Sequence, residues 1–242
     1  MKVLILDNLI KPTNFTGKFA VNFFKESGVN FYFPNVTAKE AQFHFPAIAT
    51  KPIELIENIQ ELKRDAIDPG HHFFSLSFEG NLISAMREAI SKNKIDLVFI
   101  GTELAEAGAD SIAIIYEVIR KIKCNLIIIP AGCRYQKIEK VVLPVSASLL
   151  PFKGKLDEIY ELEYFKGSRF MLMPIGTGEA KPFPELSPCL TPELFKEIQN
   201  EFDLVVILGK NLEVCERLFK KDMGILYKQS LRLPLFIYHE SE

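Results

Sequence analysis

No two of the four cysteines, Cys124, Cys133, Cys189 and Cys215, stand in a CxxC arrangement, so neither a metal knuckle nor a redox pair has a motif to rest on. Free thiols of a reducing compartment are the reading that remains. Long apolar runs are missing as well: none approaches the roughly 20 residues a helix needs to cross a bilayer. An excess of positive charge is also absent. Twenty-nine Lys and Arg stand against 31 Asp and Glu, a formal net charge of −2. Nucleic acid and anionic membrane surfaces, which select basic faces, are therefore not expected partners. The opening "MKVLILDN" is basic and then apolar, but Asp7 arrives too early for a signal-peptide core of about 7–15 residues. It reads as a first strand, and the protein as cytoplasmic. Finally, no Gly-x-Ser-x-Gly surrounds Ser146 or Ser148, which removes the usual setting of a nucleophilic serine.

What is present belongs to an ordinary globular chain: 242 residues, 48% apolar and 25% charged, enough to bury a proper core. Short apolar runs alternate with segments of helical period. "KVLILD" (2–7) is followed by "TGKFAVNFFKESG" (16–28), with Gly28 where a helix should stop. "VNFYFPNV" (29–36) is the second strand. Pro52 then opens a helix whose Leu55, Ile56, Ile59, Leu62 and Ala66 share one face. The runs 71–78, 95–101 and 124–130 alternate with the helical segments 81–93 and 111–123. Five strands and four helices in this order imply an α/β fold, a doubly wound parallel sheet covered on both sides.

After a connector, "AGCRYQK" (131–137), the pattern begins again. "EKVVLPVS" (139–146) echoes the first strand, "EFDLVVILGK" (201–210) echoes "KIDLVFIGTE", and "LPLFIYHE" (233–240) echoes the run from Cys124. Asp96 and Asp203 each open a strand that ends near a glycine, Gly101 or Gly209. We read two tandem units, 1–133 and 138–242. Asp7 and Asp96 are 89 positions apart but Ser146 and Asp203 only 57, so the second unit lacks about one helix–strand pair. The Pro- and Gly-rich stretch 176–189 holds its place, before a helix start marked by Thr191, Pro192 and Glu193.

These paired units, each with an Asp-Leu-Val strand, a glycine turn and a last helix leading into an apolar strand, resemble the tandem universal stress proteins. The resemblance is clearest over Lys94–Pro130. It implies parallel strand order 3-2-1-4-5 in each unit, with the final strands pairing at an interface that a tandem chain makes internally, as a pseudo-dimer. Many members bind ATP at the carboxyl ends of the strands, where such sheets hold ligands. Their motif is Gly, two residues, Gly, nine residues, Gly, then Ser or Thr, with an aspartate ending the first strand. The glycines let backbone approach phosphate, and the closing residues donate at a helix start.

Carried over onto this chain, Asp7 or its neighbour Asn8 fills the aspartate position, Gly101 the first glycine, and Thr102 follows it. Leu104 replaces the second glycine, and the closing pair falls near Ile112–Ala113. In the second unit Ser146 stands for the aspartate, Gly209 is present, and Gly224 fits the closing glycine with Ile225 in place of the hydroxyl. Two lost glycines restore side-chain bulk where backbone should meet phosphate. Glu103, Glu106 and Asp110 add negative charge at the same turn, which only a bridging divalent ion would convert into ligands.

The remaining candidates have plainer readings. His71 and His72 are neighbours on a strand, point to opposite faces and do not chelate one ion together. His44 sits in a covering loop, while Arg134, Lys137 and Lys140 form a solvated linker. No metal site is expected. The stretches 43–52 and 181–188 suit either of two roles, docking a protein partner or capping the ends of the sheet. The function expected first is a non-enzymatic stress-response protein that acts by binding, its nucleotide sites degraded and no cofactor held. An adenine-nucleotide binder or slow ATPase is the second, and an unrelated doubly wound enzyme the third.

Overall fold

The computed structural model describes residues 1–6, 15–37, 52–66, 68–102, 111–146, 153–175, 198–209 and 232–239. The chain forms two compact units, Met1–Tyr135 together with His239–Glu242, and Gln136–Tyr238.

The first unit is a parallel sheet in the order β3-β2-β1-β4-β5. Its strands are β1 (Lys2–Leu6), β2 (Asn30–Thr37), β3 (His72–Glu79), β4 (Leu97–Gly101) and β5 (Asn125–Ile129), as the alternation of the sequence requires. The helices α1 (Phe15–Phe23), α2 (Pro52–Asp65), α3 (Leu82–Asn93) and α4 (Ser111–Lys121) connect them. β1, β4 and β5 are buried through almost their whole length because helices cover both faces. One face is filled by a ring cluster in which Phe19, Phe23, Phe24 and Tyr135 gather around Phe99 and one another. Gly17 brings α1 close to α2: a Cβ there would lie 2.7 Å from Leu62 Cδ1.

Three details depart from the sequence reading. α1 ends at Phe23 rather than near Gly28, the intervening residues being turns. Ile56 is 51% exposed, while Leu55, Ile59 and Leu62 are buried. Residues 55 and 56 lie about 100° apart on a helix, so one of them leaves the narrow apolar stripe. β3 is not buried on both faces: it pairs only with β2 among the described residues, and Phe74 is 42% exposed.

In the second unit β6 (Lys140–Ser146), β7 (Arg169–Ile175), β8 (Leu204–Leu208) and β9 (Leu235–Tyr238) pair in parallel in the order β7-β6-β8-β9. α5 (Lys153–Tyr160) precedes β7. Apart from the missing first member, this is the order of the first unit. A counterpart of β3 is absent among the described residues.

The register repeats as well. Lys2 faces Asn30 and Lys140 faces Arg169; Val3 faces Leu97 and Val141 faces Leu204; Val98 faces Leu126 and Val205 faces Leu235. No helix among the described residues is long and apolar enough to cross a membrane.

Candidate functional site

A doubly wound sheet holds its ligands outside the carboxyl ends of its strands, and in the first unit that end is marked by Gly101 and Thr102. Gly101 is the last residue of β4, buried and paired with Ile129. Thr102 follows directly. Its N–H donates to the carbonyl of Ile129 at 2.9 Å, which adds a rung to the β4–β5 ladder. Its hydroxyl oxygen accepts the N–H of Ala131 at 2.8 Å and pins the chain as it leaves β5. Of the donors Thr102 itself carries, the N–H is spent in the ladder and the hydroxyl proton remains uncommitted by these two bonds.

The second unit repeats half of this arrangement. Gly209 N–H donates to Tyr238 O at 2.7 Å, closing the β8–β9 ladder as Thr102 closes β4–β5. Gly209 is therefore the counterpart of Thr102, and the counterpart of Gly101 is Leu208. The two glycines that the sequence sets side by side differ by one place in the ladder. Asp7, Asn8 and Gly224 lie outside the described residues, as do His44, Glu103, Leu104, Glu106 and Asp110.

The paired aspartates have a role the sequence does not disclose. Asp96 N–H donates to Lys2 O at 2.9 Å, and its carboxylate accepts Lys2 N–H at 2.8 Å. Asp203 N–H donates to Lys140 O at 2.9 Å, and its carboxylate accepts Lys140 N–H at 2.8 Å and Glu139 N–H at 2.9 Å. Each carboxylate clasps the first rung of its central strand. These acids sit at the amino ends of the strands, away from the expected ligand.

Other polar groups are brought into the core. Asn35, near the carboxyl end of β2, is 5% exposed, and its Oδ1 is buried without a hydrogen-bond partner. The sequence signal for it was an asparagine inside the apolar run "NFYFPNV". His71 is buried and its Nδ1 accepts the N–H of Val29 at 3.3 Å, whereas His72 is exposed. Cys124 donates its thiol to Ile95 O at 3.6 Å. Burial, aided by the Asp96 carboxylate, pushes that thiol up to about 12. Such a cysteine is not a nucleophile at neutral pH. Among the described residues, no group of three His, Cys, Asp or Glu side chains could hold a metal ion.

Neither a protein-family model nor a curated protein matches this sequence. Its fold, however, is similar to solved structures across nearly the whole chain. A universal stress protein from Archaeoglobus fulgidus matches with TM-score 0.56 at 9% identity, covering 99% of this chain and 97% of that one. A functionally unknown protein from Pseudomonas aeruginosa gives 0.54 at 10% identity, covering 98% and 91%. A candidate universal stress protein from the same species gives 0.51 at 10% identity, covering 98% and 92%. At these identities the likeness is one of fold, and it agrees with the strand order 3-2-1-4-5 seen in the first unit.

Proposed function

We propose that this chain is a non-enzymatic stress-response protein of the universal stress class, acting in the cytoplasm by binding a protein partner, with nucleotide sites reduced to structural turns. The observation that carries this reading is the engagement of both turn amides. A phosphate cradle needs N–H groups directed at the anion, yet the N–H groups of Thr102 and Gly209 each complete a strand ladder. The sequence that follows Thr102 adds Glu103, Glu106 and Asp110. Each acid within 4 Å of a phosphate charge would cost about 4 kcal/mol at an effective dielectric of 20.

A second reading, an adenine-nucleotide binder, is favoured by Asn35. A buried acceptor without a donor costs about 1–3 kcal/mol, and a ligand amine at the carboxyl end of β2 would satisfy it. Thermal unfolding with millimolar ATP and magnesium separates the two. A binder saturated at 100 times its dissociation constant gains about 2.7 kcal/mol, or roughly 5–10 °C for a chain of this size. We expect no shift. A shift of that size, abolished in Asn35→Ala, would replace the first reading with the second.

A further inference from the structure

We propose that His71 is an acid-sensitive latch that holds the start of β3 against β2 and lets this edge of the sheet open when its imidazole takes up a second proton. The imidazole Nδ1 accepts the N–H of Val29, so in the closed state the ring proton sits on Nε2. His71 as a whole is only 8% exposed, and its ring stands edge-on to Phe31, with centroids 5.1 Å apart, and to Phe73. Nε2 itself is buried and has no hydrogen-bond partner.

This geometry is compatible with the neutral ring alone. A second proton would have to enter at Nδ1, where it would meet the Val29 N–H head-on, donor against donor. The resulting cation would have no acceptor at either nitrogen and would sit among phenylalanines. Its burial already holds the imidazole below its ordinary pKa, with Asp68 opposing that shift and His72 adding to it. Lys63, on the last turn of α2, lines the same cleft of about 520 Å³ with Asp68, His71 and His72, and contributes another positive charge. Of these charged neighbours only Asp68 would favour the imidazolium, and its Oδ1 already accepts the N–H of Gly70 at 2.7 Å.

The position of the ring decides what moves. Val29 is tied to the start of β3 by a second bond, His72 N–H to Val29 O at 2.9 Å, and His71 N–H reaches back to Asp68 O at 3.2 Å. β3 pairs only with β2 among the described residues and is half exposed along its length. Edge elements with few buried contacts open first. Loss of the Val29–His71 bond therefore loosens the first rung of the β2–β3 ladder, Asn30 against His72, and β3 frays from that end toward Glu79 while β1, β4 and β5 stay closed.

The pH window follows from linkage. The unfolded or opened segment takes its proton at about pH 6.5 and the closed one only at lower pH. Closure is thus fully favoured above about pH 6.5 and weakens as pH falls below it, by at most tenfold in the opening constant per pH unit.

Hydrogen exchange read by mass spectrometry tests this on the full chain at pH 7.5 and 5.5, corrected for intrinsic rates. The wild type should show up to about tenfold more opening at pH 5.5 in segments 29–37 and 72–79, with 97–101 and 125–129 unchanged. His71→Gln, which cannot take up the proton, should give the same pattern at both values. Equal pH dependence in the two proteins, or an increase spread evenly over all strands, would overturn the proposal. Should the variant fail to fold, NMR titration of the wild type decides. The Val29 amide should move together with a His71 ring that titrates below the ordinary range; a His71 ring titrating at or above pH 6.5 with Val29 unmoved would refute it.

Discussion

Thr102 is where the structural and ligand-binding readings of the turn part most sharply, and one isosteric change separates them. Thr102→Val keeps the shape and removes the oxygen that accepts the Ala131 N–H at 2.8 Å. A neutral hydrogen bond of this kind contributes about 0.5–1.5 kcal/mol. Because Ala131 is exposed, water partly replaces the lost acceptor, and the cost should lie near 1 kcal/mol. For a chain of this size that is about 2–4 °C in the unfolding midpoint. Thr102→Ser retains the oxygen and should recover most of the loss. Differential scanning calorimetry of the three proteins, with and without ATP and magnesium, gives both readouts at once. If Thr102 pins the exit of β5, the valine variant is less stable and nucleotide changes none of the three. Unchanged stability in Thr102→Val, together with a nucleotide-induced shift in the wild type that the variant lacks, would refute the reasoning.

Two further outcomes follow from packing. Gly17→Ala gains up to about 1 kcal/mol of helix propensity, but its new methyl meets the fully buried Leu62 at 2.7 Å. Overpacking costs about 1–3 kcal/mol, so urea unfolding should show a net loss of up to about 2 kcal/mol. In a Leu62→Ala background the same change should become favourable, and a gain in the wild-type background would show that α1 and α2 do not meet there. Cys124, with its thiol held up near 12, should resist maleimide at pH 7.5 in the native protein and label fully in urea. Rapid native labelling of the Cys124 peptide, read by mass spectrometry, would contradict its burial and its bond to Ile95 O.

The first unit was legible in the sequence because its signals are local. Apolar runs of strand length mark β1, β4 and β5, and Leu55, Ile59 and Leu62 mark the buried stripe of α2. The second was harder to read. β7 and α5 were not foreseen: "RFMLMPI" carries a proline and exposes Met171 and Leu172, and "KGKLDEIY" has little apolar face to announce it. At the candidate site, residue types were visible but partners were not. Thr102 invites comparison with a ligand motif, whereas its role depends on Ile129 and Ala131, which only the β4–β5 pairing brings near. Asp96 and Asp203 were seen as a matched pair, yet their clasp reaches back 94 and 63 positions to Lys2 and Lys140. The offset between Gly101 and Gly209 was hidden for the same reason, since a repeated string carries no ladder.

The repeated register makes this chain its own alignment. Its halves agree where their strands begin, down to a lysine and an aspartate joined in the same way, and diverge where those strands end, Gly101 against Leu208 and Thr102 against Gly209. The foundation is the same in both units, while the strand ends described differ between them. Whatever those ends meet, they need not meet the same thing.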